Sequence, residues 1–343
     1  MRSKKFIFVF LCIHTISRSG ITYEFSGGRM GDNLITYLHA KWIAYKHGLT
    51  LLYRPFPNSD KFMLHQYEQA AHNNEPAPQN IIESKPQPSI DKNRYLSLQR
   101  NYVAKPKPVA QNTPNQTVPN NEISITKENY RTLHLDDQEI FKIPYFSDYQ
   151  HEYPEGYFSP ESSFTIDWHD EEFKEILRTH IAPAEQLEHI IQPPENTISV
   201  AMHVRNGGRY EQRSMKSDQL KYPPNSFFAE QLKYVCQKYP DKKIYAFIFT
   251  DSLNPREIAD EILDKVKEFD VIIKYRPEDT SDTSYVLDDF FSIPLFNVLI
   301  RPCSNFSYVA GRLGNYLLEI TPTAYSVDEN DVVTITAVDI VEK

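Results

Sequence analysis

Three cysteines in 343 residues, Cys12, Cys236 and Cys303, are too few and too scattered for a disulfide framework or a zinc site, and one would stay over in any pairing. Basic charge is short as well: 37 Lys and Arg against 46 Asp and Glu leave a formal net charge of -9. That balance argues against general nucleic-acid binding, which needs a basic face able to displace counterions from phosphates. Any anionic ligand must therefore be met by a local cluster of cations. Long apolar runs are missing too. The run from Phe6 to Ile13 is too short to cross a membrane, and no other segment offers a span. With its three early cations, "MRSKKFIFVFLCIHTISRSG" at residues 1–20 fits a short signal-peptide core, or else a frayed strand or an upstream start, and location stays open between export and the cytoplasm.

What is present suffices for a folded interior. The chain is 40% hydrophobic and 13% aromatic, and its length exceeds what one core usually organises, so two domains are expected. "ITYEF" reads as a strand, "SGGRMGD" as a turn and "NLITYLHAKWIAYKHG" as a helix. In that helix Leu34, Leu38, Trp42 and Tyr45 recur at helical spacing before Gly48 stops it; "LTLLYR" is a second strand. This is the opening of a parallel βαβ unit. Residues 72–122 stack Pro, Asn and Gln with little apolar content and read as an insertion or long surface loop. From 196 onward strands ("TISVAMHV", "KIYAFIFT", "DVIIKY", "NVLIRPC") alternate with helices, the signature of a doubly wound sheet. The expected division is residues 21–190, residues 195–325 and a tail over 326–343.

In such a sheet the ligand sits beyond the carboxyl ends of the strands. "AMHVRNGGRYEQR" lies there, as do "TDSLNP" and "CSNFS", so three distant loops converge on one crevice. Arg205 offers a fork of donors for phosphate oxygens, Gly207 and Gly208 let the backbone approach a ligand, and a helix begun at Asn305 or Phe306 points free amides the same way. Taken alone, Arg205 reads more simply as a strand-end partner in a surface ion pair; the three loops together make a pyrophosphate site the better reading. A site that held a pyrophosphate through a divalent metal would want an Asp-x-Asp pair at a strand end. The nearby pair Asp288 and Asp289 sits inside "YVLDDFFSI", where it reads as the polar face or first turn of a helix. His39 and His47 read as helix-surface or packing residues.

"HVRNGG", "FTDSLNP" and "CSNFSYVAGRL", in this order, resemble the three motifs of the fucosyltransferase superfamily that includes α1,2-, α1,6- and protein O-fucosyltransferases. "GGRMGDN" resembles the Gly-Arg-x-Gly-Asn loop at the start of those proteins, and "YPEGYF" the segment before their donor domain. The resemblance covers most of residues 21–318 outside the insertion. It implies an α/β fold of GT-B type, two Rossmann-like doubly wound domains facing across a cleft, and an inverting, metal-independent fucosyltransferase. GDP-fucose is then the donor substrate, without a cofactor, and a glycan or glycoprotein the acceptor. Carried over, Arg205 holds the β-phosphate, His203 contacts the nucleotide, and Asp251 meets the guanine or ribose side. Ser304, Asn305, Phe306 and Ser307 cradle phosphates or base, and Gly31 and Asn33 line the cleft opposite. Two departures stand out: Asn206, Gly207 and Gly208 replace an Arg-Gly-Asp or Arg-Thr-Asp run, and Asp32-Asn33 replaces Asn-Gln. Asp32 thereby becomes the candidate base, with Glu24 behind it, although a carboxylate here also serves as a helix cap. Alternatives of other kinds are a GT-B shell that binds nucleotides or glycans without transfer, and a transferase of another nucleotide sugar.

Overall fold

A computed structural model describes residues 20–24, 28–70, 122–126, 128–133, 140–143, 161–206, 219–277 and 285–342. The early region up to residue 19, the segment read as an insertion apart from Glu122, "YPEGYF" and the Gly207-Gly208 pair lie outside these.

The first half is built on a parallel five-stranded sheet. Strand β1 (Gly20–Tyr23) runs into helix α1 (Met30–His47), then β2 (Thr50–Tyr53), a short helix α2 (Leu64–Tyr67), β3 (Gln69–Ala70), β4 (Glu122–Ser124) and β5 (Ile140–Ile143). The strand order is β3-β2-β1-β5-β4. Helix α1 ends where the sequence says it should: Gly48 takes φ 65°, the left-handed cap conformation that costs a glycine nothing. Nearly every face of α1 is buried through its first four turns, which is why it carries so few charges before Lys41. Helix α3 (Glu171–His180) follows, capped by Asp170, whose side chain accepts from the Phe173 amide.

The second half alternates regularly: β6 (Ile198–Val204), α4 (Asn225–Lys238), β7 (Ile244–Thr250), α5 (Pro255–Val266), β8 (Val271–Tyr275), α6 (Val286–Ser292), β9 (Val298–Ile300) and α7 (Asn305–Leu313). Asp288 and Asp289 fall in the first turn of α6. With β10 (Leu318–Val327) and β11 (Val333–Glu342) the sheet order is β11-β10-β9-β6-β7-β8, parallel except for β11. The chain steps from β6 outward to β8 and returns on the other side to β9, so the crevice opens between the carboxyl ends of β6 and β9.

Residues 326–342, expected as a tail, instead complete β10 (Leu318–Val327) and form β11 (Val333–Glu342), an antiparallel hairpin on the sheet edge. Pro322 would interrupt a regular ladder; the pairing register shifts between Pro322 and Ala324, where a bulge accommodates a residue without an N–H.

The central strands β6, β7 and β9 are covered on both faces, which explains their unbroken apolar runs. Val200, Met202, Ile248 and Ile300 face a core made with α4 and α5. Ala201, Phe247, Phe249 and Leu299 face the other way, into one apolar cluster that also contains Ile21, Leu34, Leu38 and Phe173 of the first half. The linker between the halves is tied down as well: the His189 amide donates to Asp288 at 2.8 Å and the Ile191 amide to Ser292 at 2.8 Å.

Candidate functional site

Alternation along β6 decides which side chains reach the crevice. Met202 and Val204 point into the α4–α5 core, so His203 and Arg205 emerge on the opposite face, towards α7. The Arg205 Nη1 donates to Ser304 Oγ at 3.2 Å, and its guanidinium lies 5.5 Å over the Tyr222 ring, which fixes the fork in place. Ser304 is the N-cap residue of α7 by position, with extended backbone, yet its hydroxyl is engaged by Arg205 rather than by the helix. The Ser304 side chain makes no cap bond to α7, so the first amides of the helix keep their donor character and its end a partial positive charge. Buried Ser307 donates its hydroxyl to the Ser304 carbonyl at 3.3 Å and steadies the turn.

A second helix N-terminus meets this one. A Cβ on Gly31, in the first turn of α1, would lie 2.5 Å from the Phe306 nitrogen and 2.8 Å from the Asn305 carbonyl carbon, so only glycine permits the approach. Asn305 Nδ2 donates to Asp32 Oδ1 at 2.6 Å, while Asp32 Oδ2 accepts from the Arg29 amide at 2.9 Å. Asp32 is thus both a first-turn carboxylate of α1 and a bridge to α7. Asn33 turns inward, its Nδ2 donating to the Gly28 carbonyl at 3.3 Å, and its Oδ1 is without a hydrogen bond among the described residues.

Electrostatics follow from this packing. His203 is buried, its ring 5.4 Å from that of Phe306. Burial first, and then the cations of Arg205, Arg29 and Arg301, push its imidazole down to about 3, so it is neutral at any working pH. Its Nδ1 has no hydrogen-bond partner among the described residues. Two helix N-termini, a held arginine and a neutral, unprotonated imidazole make a site suited to an anion.

Asp251 stands beside this cluster. Its Oδ1 accepts from the Asn206 amide at 2.6 Å, and Asn206 Nδ2 donates to Ser252 Oγ at 3.2 Å, so the loop after β7 is bonded to the loop after β6. A cavity of about 340 Å³ opens here, lined by Asn206, Asn225, Ser252, Asn254, Glu257 and Glu261. Of the residues named from the sequence, Gly31, Asp32, His203, Arg205, Ser304, Asn305 and Phe306 come together. Asp251 is joined to them through Asn206, while Ser307 and Asn33 support the two turns. Asp288 and Asp289 are otherwise occupied, Asp288 with the linker and Asp289 with Arg276 at 2.6 Å.

No family model and no curated protein matches the chain. Its structural likeness is to fucosyltransferases. A point mutant of FUT1 from Arabidopsis thaliana in complex with GDP superposes with a TM-score of 0.48 at 12% identity, covering 93% of this chain and 73% of that one. NodZ alpha-1,6-fucosyltransferase soaked with GDP-fucose gives 0.38 at 14% identity, over 95% and 99% of the two chains. POFUT1 in complex with GDP-fucose gives 0.38 at 12%, over 88% and 97%.

Sequence reasoning missed the support behind the site. Arg301 Nε donates to Glu319 Oε1 at 2.7 Å, and Arg312 Nη2 reaches both oxygens of the same carboxylate, at 2.8 and 3.1 Å. Tyr308 is stacked near both guanidinium groups, 5.2 Å from that of Arg301 and 4.7 Å from that of Arg312. This buried network anchors α7 from below. A charged residue on either side of an apolar strand end, at Arg301 and Glu319, was the signal for it.

Proposed function

We propose that the protein transfers fucose from GDP-fucose to a hydroxyl of a glycan or glycoprotein, with inversion and without a metal ion. The observation that carries this reading is the convergence of Arg205, Ser304 and the N-termini of α1 and α7 on one point of the crevice. The choice of GDP-fucose rests on the three-motif resemblance. In the transfer, the acceptor oxygen bonds to the anomeric carbon as the bond to the β-phosphate oxygen breaks, and negative charge builds on the departing GDP. Arg205 and the α7 amides are fixed donors aimed at that charge, so they stabilise the transition state more than the ground state. Ser304, Asn305, Phe306 and Ser307 cradle the diphosphate, Asp251 holds the nucleoside side, and Gly31 and Asn33 shape the opposite wall. Neutral His203 accepts a hydrogen bond from the nucleotide sugar without competing for its phosphates. Asp32 takes the acceptor proton: each of its oxygens accepts one hydrogen bond and keeps a further lone pair.

The test is a thermal melt with nucleotides. GDP raises the melting temperature, by the equivalent of about 2.7 kcal/mol at a hundredfold excess over its dissociation constant, UDP does not, and EDTA changes neither result. Equal shifts with UDP would refute the guanine assignment, and loss of the GDP shift in EDTA the metal-free one.

A further inference from the structure

The chain contains two tryptophans, Trp42 and Trp168, and both line the same pocket on the outside of the first half. Its volume is about 480 Å³, inside the range of about 300–1,000 Å³ common for small-molecule sites. The walls are the C-terminal half of α1 and the loop 161–169. Trp42 is buried at the pocket's edge, packed edge-on with Phe173 at 4.9 Å, its Nε1 donating to the Ser163 carbonyl at 2.9 Å. Trp168 is half-buried, held from behind by an edge contact with Tyr308 at 6.0 Å and by the Arg312 guanidinium 5.5 Å from its ring. Around the indoles stand Glu161, Ser162, Thr165 and Asp167. Lys46 sits 4.7 Å over the Trp42 ring and bonds to Asp170 at 3.2 Å, so the local cation is already compensated.

We infer that this pocket is a binding site for a neutral saccharide, separate from the anion site. The pairing of chemistries is the reason. A pyranose ring offers an apolar C–H face, which packs on an indole, and a ring of hydroxyls, which need acceptors at its edge; Glu161, Asp167 and the two hydroxyl side chains supply them. An anionic ligand would meet the carboxylates of Glu161 and Asp167, with the one Lys of the lining already paired to Asp170, and a purely apolar one would leave those carboxylates without water. The walls are also rigid before any ligand arrives. His47 and Ser163 Oγ bond at 3.0 Å, the His169 amide donates to Asp167 Oδ1 at 2.9 Å, and Tyr45 and Lys46 both hold Asp170, so little ordering remains to oppose binding. Trp42 lies eleven residues along α1 from Gly31, about 17 Å at the helical rise. A saccharide here is therefore an anchored remote portion of a longer chain or a separately bound one, and the inference does not rest on the transfer reading.

Because both tryptophans border the pocket, intrinsic fluorescence reports it directly. The full chain is titrated with cellotetraose, mannotetraose and the β1,4-linked N-acetylglucosamine tetramer, with affinities checked by calorimetry. A saturable change is expected with at least one of them. Trp168→Ala should weaken that binding at least tenfold and Trp168→Phe less, because an aromatic face remains. Glu161→Arg, at an exposed side chain that the fold does not need, should weaken it too while leaving the melting temperature unchanged. Absence of a saturable response to all three at millimolar concentration overturns the inference, as does calorimetric binding that is unchanged in Glu161→Arg and in folded Trp168→Ala.

Discussion

Asn305 donates its side-chain amide to Asp32 across 273 residues of sequence, at 2.6 Å, and in doing so joins the first turns of two helices that belong to different sheets. The bond gives the candidate base a fixed orientation and joins it to the first turn of α7. Asp32→Asn therefore separates two roles. As a base, the residue is lost: release of GDP from GDP-fucose in the presence of acceptor falls by on the order of a hundredfold or more. As a bridge, it is mostly kept, with about 1 kcal/mol of stability forfeited where one bond can no longer be satisfied. GDP should bind at least as tightly, since a negative charge leaves the neighbourhood of the diphosphate. Turnover within a few fold of the native enzyme would remove Asp32 from the chemistry.

Arg205→Lys keeps the charge and removes the planar fork. Loss of a transition-state donor of this kind costs about 3–4 kcal/mol, on the order of a hundred- to a thousandfold in rate. Guanosine binding should hardly change while GDP binding weakens. Were Arg205 a surface ion-pair partner instead, the substitution would cost under about 1 kcal/mol and leave turnover intact. Steady-state kinetics beside thermal melts distinguish these.

Gly31→Ala tests the contact of the two helix ends. The added carbon meets backbone atoms of Asn305 and Phe306, which have no rotamer through which to yield, so α7 must move. The expected cost is about 1–3 kcal/mol in chemical unfolding, with a drop in GDP affinity larger than stability alone explains. A variant with unchanged stability and unchanged affinity would show the approach to be incidental.

Acid should destabilise the protein through His203. Its folded-state value, about 3, lies below the ordinary 6.5, so the unfolded chain binds a proton that the folded one refuses. The stability is complete above pH 6.5 and is lost as pH falls from there towards 3, at up to about 1.4 kcal/mol per pH unit. Urea unfolding at pH 7 and pH 5, for the native protein and for His203→Gln, measures it: the variant should lose less between the two. Equal losses would mean that His203 is accessible to protons in the folded state.

The doubly wound half was legible because β6 and β7 are buried on both faces, which leaves long apolar runs, and because Gly48 and Pro255 mark helix ends by chemistry that needs no context. The loops carrying Arg205, Asp251 and Ser304 could be gathered from topology alone. Other features were silent for physical reasons. Strands β4 and β5 are three and four residues long and follow the Pro-, Asn- and Gln-rich segment, with no amphipathic helix among the described residues between them to mark a strand–helix alternation. Pro322 and the acidic turn at Asp328 disguised a hairpin whose bulge makes room for the proline. Arg301 and Glu319 stand as charges beside apolar strand ends, but a pair 18 residues apart does not show in local spacing that the two meet, or that Arg312 joins them. His203 was named as a ligand contact, but its neutrality comes first from burial and then from Arg205, Arg29 and Arg301, and neither that burial nor the approach of Arg29 and Arg301 shows in the sequence.

Phe247 and Phe249 share one apolar cluster with Leu34 and Phe173, and that sharing makes the two halves a single thermodynamic unit. Neither can release its partner without exposing the aromatic side chains that line the seam, so a chain cut after residue 190 would yield two sticky fragments rather than two soluble modules. Heat should find one cooperative transition. A nucleotide gripped only by the second sheet would then slow amide exchange in α1 as well, because opening either half requires opening both.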